Sequence, residues 1–193
     1  MEFAQSIKTE QIEKLPLADF SGDIEVIETE GEQFQQAIDY LTSQKVIGFD
    51  TETKPCFVAK APKNRMAILQ LSSEDKAFIF RLQMIGVPQK LAALLSNPAV
   101  IKVGAAVRDD LNGLRRYRNF TPNGFADLQT MAEKFGIEEK SVRKMSAIIL
   151  GIRVSKSQQL SNWESSRLSP AQLKYAAIDA WVCRQMYVKL LSF

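Results

Sequence analysis

The stretch Val46-Ile47-Gly48-Phe49-Asp50-Thr51-Glu52-Thr53 leads an apolar run straight into two acids. A short apolar run of this kind reads as a buried strand, and on a strand side chains two apart project to the same face. Asp50 and Glu52 therefore present both carboxylates together, while Thr51 turns to the opposite face. Acids so placed have either reached the solvated end of the strand or share a cation between them, because two unscreened like charges repel. The stretch alone leaves both open.

Working outward, two more strand-like runs follow, Met66-Ala67-Ile68-Leu69-Gln70-Leu71 and Ala77-Phe78-Ile79-Phe80, with connections short enough for antiparallel neighbours. Upstream, Phe34, Ala37, Ile38 and Leu41 recur at helical spacing and predict a helix over 31–43. Downstream, Pro88 opens a helix to Leu95, and Val100-Ile101-Lys102-Val103-Gly104 reads as a strand feeding a helix from Val107 to Tyr117. Helices are then expected over 127–135, 141–150 and 170–192, bounded by Gly136, Gly151 and Ser169-Pro170. The resulting class is α/β, a mixed sheet flanked by helices. Residues 1–24 read as an N-terminal arm with one short helix, either packed on the domain or mobile, and residues 25–193 as the domain proper.

With 193 residues and 46% hydrophobic content, the chain can build one substantial core. It has no apolar run long enough to span a membrane and no signal-peptide pattern at Met1-Glu2-Phe3-Ala4-Gln5-Ser6, so a cytoplasmic protein with no membrane partner is expected. Cys56 and Cys183 lie far apart, which favours small core residues, or a loop position for Cys56, over a disulfide framework. The chain contains no histidine. That removes Ser-His-Asp and Cys-His catalysis and His-ligated zinc together, leaving carboxylates, Tyr, Lys, Ser or metal ions for any chemistry. The formal net charge of +3 decides nothing by itself.

Two later segments carry acids at informative phase. In the helix from Val107, the residues Val107, Leu111 and Leu114 define the buried face and Asp110 lies on it, while Asp109 is rotated away by about 100°. A carboxylate on that face needs a partner, either a site or an ion pair with Arg108 or Arg115. On the last helix, Tyr175 and Asp179 stand at i and i+4 beside a stripe rich in alanine, which lets the helix approach the sheet closely. The two are either a hydrogen-bonded pair at the core edge or part of a site.

Taken together, three ordered motifs resemble the Tyr-bearing branch of the DEDD superfamily of 3′→5′ exonucleases, which includes ribonuclease D and the Werner syndrome exonuclease domain. They are Val46 to Thr53 with the following Ala67-Ile68-Leu69-Gln70-Leu71, then Lys102-Val103-Gly104 to Asp110-Leu111, then Leu168-Ser169-Pro170 through Tyr175-Ala176-Ala177-Ile178-Asp179-Ala180. Leu160-Ser161-Asn162-Trp163 is similar to the Werner-type members. The resemblance implies a ribonuclease H-like fold in which Asp50, Glu52, Asp110 and Asp179 cage two divalent ions and Tyr175 holds the attacking water. Oxygen-only ligands suit Mg²⁺ or Mn²⁺. The implied substrate is the 3′ end of DNA or RNA, with DNA slightly favoured. The competing reading is a catalytically inactive nucleic-acid-binding module on the same fold, and the intact acids and Tyr175 argue against it.

The remaining residues are read more loosely. In the Pro55 to Arg65 loop, Phe57, Lys63 and Arg65, with Lys60 and Asn64, either meet a terminal nucleotide or form a solvated loop. Thr51 and Arg108 join Phe57, Lys63 and Arg65 as expected nucleic-acid contacts. Arg115, Arg116 and Arg118, and separately Arg143, Lys144, Arg153 and Lys156, form either backbone-binding patches or solvated faces. Trp163 is expected in the core or anchoring a loop, and Asp127 as a helix N-cap.

Overall fold

The computed structural model describes residues 3–57 and 64–193. After a helical turn, α1 (Thr9–Ile12), come strand β1 (Asp23–Ile27), helix α2 (Glu32–Ser43) and three strands, β2 (Val46–Thr53), β3 (Met66–Ser72) and β4 (Lys76–Arg81). The turn α3 (Leu82–Ile85) and helix α4 (Gln89–Leu95) lead to β5 (Ile101–Gly104), α5 (Val107–Leu114) and β6 (Phe125–Asp127). Helices α6 (Leu128–Lys134), α7 (Val142–Leu150) and α8 (Pro170–Leu190) follow.

The sheet is mixed, with strand order β1-β4-β3-β2-β5-β6. The expected antiparallel meander β2-β3-β4 forms its centre, and β5 pairs parallel to β2 on the other side. Two strands were not anticipated. β1 pairs parallel to β4 at one edge, and its alternating Asp23-Ile24-Glu25-Val26-Ile27 pattern was hidden at the end of what reads as an arm. β6 has only three residues, so no periodicity marks it; its pairing with β5 makes it a strand. The predicted helix over 107–117 ends earlier as α5, with a turn after Leu114.

Alternation along β2 separates the layers. Ile47 and Phe49 enter a core with Phe34 and Leu41 of α2, Leu91 and Leu95 of α4, and Leu114 of α5. Gly48, Asp50 and Glu52 face the opposite side, where α8 lies. The Ser169 and Gln172 side chains cap α8 reciprocally, and Pro170 suits its first turn because its missing N–H would have no helical partner. Ala176, Ala177 and Ala180 are fully buried against the sheet. The approach is so close that a Cβ on Gly48 would lie 1.7 Å from the Ala180 carbonyl oxygen.

Residues ahead of β1 pack on this frame. Ala18 N–H donates to Arg153 O, Arg153 N–H donates to Pro16 O, and Ile12 and Phe20 are buried. Lys102, in the middle of β5, is fully buried and donates to the carbonyls of Asn97 and Val100, and burial pushes its ammonium down to about 8. Cys183 is buried on α8 and Cys56 is exposed. No described helix is long and apolar enough to cross a membrane.

Because the obstacle at Gly48 is backbone, a side chain there cannot be absorbed by a rotamer change. Gly48→Val is expected to destabilise the protein by at least about 3 kcal/mol, the upper range for overpacking. Urea unfolding checks it; a midpoint equal to that of the unsubstituted protein would show that α8 stands off the sheet.

Candidate active site

The contact of Ala180 with Gly48 does more than fill space, because the residue before Ala180 is Asp179. Lying on the buried side of α8, Asp179 is carried to the end of β2, where one carboxylate oxygen each from Asp50, Glu52 and Asp179 lie within 4.8 Å of one another. Asp50 and Glu52 are partly buried and Asp179 is buried.

The chemistry of this cluster follows from its charges. Burial, then Asp179, Glu52 and Asp110, pushes Asp50 well above the usual carboxylate range. Burial, then Asp179 and Asp110, raises Glu52 to about 8. Burial raises Asp179 to about 7 against the lowering effect of a hydrogen bond from Tyr175. Among the described residues, none of the groups that shift these three is a cation. Water withdrawn from acids penalises the charged form, and neighbouring acids add to it; a divalent cation among them reverses both effects.

Tyr175 sits one helical turn before Asp179 and hydrogen-bonds to it, with its ring 5.9 Å from that of Trp163. Burial first, then Asp179 and Glu52, raises its pKa, so the phenol stays neutral. Trp163 is a core residue with no exposed surface. Asp110 is arranged differently. It lies outside the tight group of three, and Thr51 Oγ1 donates to its Oδ1 at 2.6 Å. Burial raises it to about 6, opposed by that bond. Its field still reaches Asp50 and Glu52. Asp109 is exposed and Asp110 partly buried, as the helical phase requires.

Asp127 fixes where α5 begins. Its carboxylate accepts from Gln129 N–H at 2.9 Å as the N-cap of α6, and from the backbone N–H groups of Ala106 and Val107 at 3.3 and 3.1 Å. Ala106 is held in the left-handed region at φ 55°.

From Asp110 a cavity of about 560 Å³ runs outward between α5 and the start of β3, lined among others by Lys54, Asn64, Arg65, Asn112 and Arg116. Of the residues expected to meet nucleic acid, Arg65 lines this cavity, its guanidinium 5.4 Å from the centre of the Tyr117 ring. Thr51 is engaged by Asp110. Phe57 is 80% exposed, and Arg108 is exposed. Lys63, like Lys60, lies outside the described residues.

Asp110 makes no ion pair with Arg108 or Arg115 among the described residues. Much of the expected basic patches is committed internally. Arg118 donates to Val87 O, Arg153 to Leu15 O, and Arg143 and Lys144 pair with Glu13 and Glu139. Sequence reading missed Lys54, ion-paired to Glu164 at 3.4 Å on the rim, and Asn112. A cation two residues after the second acid was the only signal for Lys54.

Residues 24–192 match a family model described as 3′-5′ exonuclease. Among curated proteins, the chain is 36% identical over 150 residues to the Drosophila melanogaster exonuclease 3′-5′ domain-containing protein 2, covering 76% of this chain and 25% of that protein. It is 32% identical over 156 residues to the Mus musculus bifunctional 3′-5′ exonuclease/ATP-dependent helicase WRN, covering 78% of this chain and 11% of that protein. Among solved structures, Escherichia coli RNase D, described as an exoribonuclease involved in structured RNA processing, superposes with a TM-score of 0.77 at 21% identity. That superposition covers 86% of this chain and 44% of that one. The chain thus spans a quarter or less of these two curated relatives.

The raised carboxylates set a pH dependence of stability. Between the unfolded carboxylate pKa near about 4 and the folded values of about 6 to 8, the folded protein holds protons that the unfolded chain releases. Metal-free stability therefore falls as pH rises through this window and levels off above it. Melting in EDTA is expected to drop from pH 5 to pH 8, and excess Mg²⁺ or Mn²⁺ to restore it most at the alkaline end. Parallel curves with and without metal would contradict this.

Proposed function

The chain belongs to the 3′-5′ exonuclease family, and from that premise we propose that it hydrolyses the last phosphodiester bond at nucleic-acid 3′ ends, releasing nucleoside 5′-monophosphates. The observation that carries the reading is the convergence of Asp50, Glu52 and Asp179 oxygens within 4.8 Å, with Asp110 close by and, among the described residues, no cation in the groups that shift them. An all-oxygen set of acids that lack neutralisation fits hard divalent cations such as Mg²⁺ or Mn²⁺. Asp50, Glu52, Asp179 and Asp110 would hold two such ions, whose chemistry is to lower the pKa of the attacking water and to stabilise the departing 3′-oxygen.

This chain's own groups do the rest. Tyr175 remains a neutral phenol, so it holds and orients the attacking water through its hydroxyl and does not remove the proton. The water gives up one proton to solvent as its oxygen bonds to phosphorus, the P–O3′ bond breaks, and the released 3′-oxygen takes up a proton, so that one water is consumed. Thr51, through its bond to Asp110, keeps that acid at the edge of the cluster. The cavity beyond Asp110 accommodates the terminal nucleotide, with Arg65 and Arg116 placed for phosphate oxygens and Asn64 and Asn112 for base or sugar edges.

Between DNA and RNA we favour DNA, on the resemblance of Leu160-Ser161-Asn162-Trp163 to Werner-type members. The likeness to an exoribonuclease at 21% identity supports the fold and does not carry a substrate.

The test is incubation with 3′-recessed DNA, single-stranded DNA and RNA in Mg²⁺ or Mn²⁺. Stepwise shortening is expected, fastest on DNA, and is expected to vanish in Asp50→Ala. Tyr175→Phe should retain metal binding and lose about 10²-fold in rate, as for one removed hydrogen-bonding group at a reacting centre. Equal behaviour of the unsubstituted protein and Asp50→Ala on every substrate would refute the proposal, and binding without turnover would favour the inactive module.

A further inference from the structure

Gln70 lies in the middle of β3, directly opposite Asp50 across the antiparallel β2–β3 pair and opposite Ile79 on β4. Residues facing each other in this way share a sheet face, with Cβ atoms about 4.5–5.5 Å apart. The Gln70 side chain therefore stands beside Asp50 on the face covered by α8. It has no exposed surface, and among the described residues neither Nε2 nor Oε1 has a hydrogen-bond partner.

A buried primary amide without partners is expensive, and it brings two donors and an acceptor to a place that packing alone does not require. Ile68, Ile79, Trp163 and Ala176 pack together there, and apart from the Trp163 indole N–H, which likewise has no partner among the described residues, this layer is apolar. A Met or Leu at position 70 would fill the same space without the penalty. The neighbour that can use a donor is Asp50, which accepts from the Thr51 backbone N–H and keeps lone pairs in reserve. The terminal torsion of a Gln side chain is broad, so its amide can turn to meet that carboxylate. The donor is also neutral, and a Lys or Arg at this point would compete with a divalent cation for the same acids.

We propose that Gln70 is a positioning residue for Asp50, its side-chain N–H fixing the carboxylate in the orientation that receives the divalent cation. The assignment rests on the reading of Asp50, Glu52 and Asp179 as metal ligands. Ligating carboxylates are themselves hydrogen-bonded in metal sites, and loss of such a partner weakens metal affinity about 10–100-fold.

The experiment is titration of Mn²⁺ into the full chain without nucleic acid, followed by calorimetry and by Mn²⁺ paramagnetic resonance, for the unsubstituted protein, Gln70→Met and Gln70→Leu. Melting of each in EDTA is measured in parallel. The expected result is Mn²⁺ binding weakened about tenfold or more in both variants, with melting in EDTA unchanged or raised because an unpaired buried amide is gone. Binding within about threefold of the unsubstituted protein overturns the role of Gln70 and leaves the metal site standing. A joint fall of melting temperature and affinity in both variants also overturns it, since the amide then serves the core, for example by seating an internal water. If the unsubstituted protein takes up no Mn²⁺, the metal reading itself fails and this assignment falls with it.

Discussion

The absence of a side chain at position 48 is what the acidic end of this protein depends on. With the Ala180 carbonyl lying where a Cβ would be, α8 rests on the backbone of β2, and the small residues Ala176 and Ala177 extend that seat along the sheet. Asp179 is thereby delivered to the neighbourhood of Asp50 and Glu52 by rigid elements and not by a loop. Helix and strand hold side chains more tightly than loops do, and the distances among ligand oxygens tolerate little slack.

Bringing acids together in a partly dry setting opposes folding, and the structure absorbs this elsewhere. Fully buried Phe49, Phe78 and Phe80, with α2 and α4 laid across one face, each contribute about 1.5–3 kcal/mol of burial. What surrounds the acids is chosen with one restriction: Thr51, Tyr175 and Gln70 are neutral hydrogen-bonding groups. A lysine or arginine would relieve the same repulsion in the metal-free protein, and it would then have to be displaced. If that relief is kept for a divalent cation, as proposed, binding the ion would stabilise the fold, which is the coupling of metal, pH and stability described above.

The parts of this site that were legible in the sequence are those set by local geometry. The period of a strand put Asp50 and Glu52 on one face, the phase of a helix separated Asp110 from Asp109, and i, i+4 spacing paired Tyr175 with Asp179; each relation lies within one element. What escaped is set by contacts between elements. The Thr51–Asp110 bond spans 59 residues, Gln70 gains its meaning only from the register that places it opposite Asp50, and β6 exists only because β5 offers it an edge. The arm shows the same limit, since its docking turns on Arg153, far along the chain. A Pro- and Gly-bearing polar segment carries no local signal of such a partner.

The basic residues make the same point about charge. Counted in the sequence, Arg118, Arg143 and Arg153 look available to phosphates, yet they are engaged by Val87 O, Glu13 and Leu15 O. An arginine held by a protein acceptor is oriented by that contact, even though it keeps further N–H donors. Arg65 and Arg116 line the cavity beside Asp110, and Lys54 stands at its rim against Glu164. A net charge of +3 therefore says little about where positive charge is available: among the described residues, Lys54, Arg65 and Arg116 line the cavity that begins at Asp110. On the proposed function, these three would meet the end of a polyanion while the carboxylates stay reserved for cations.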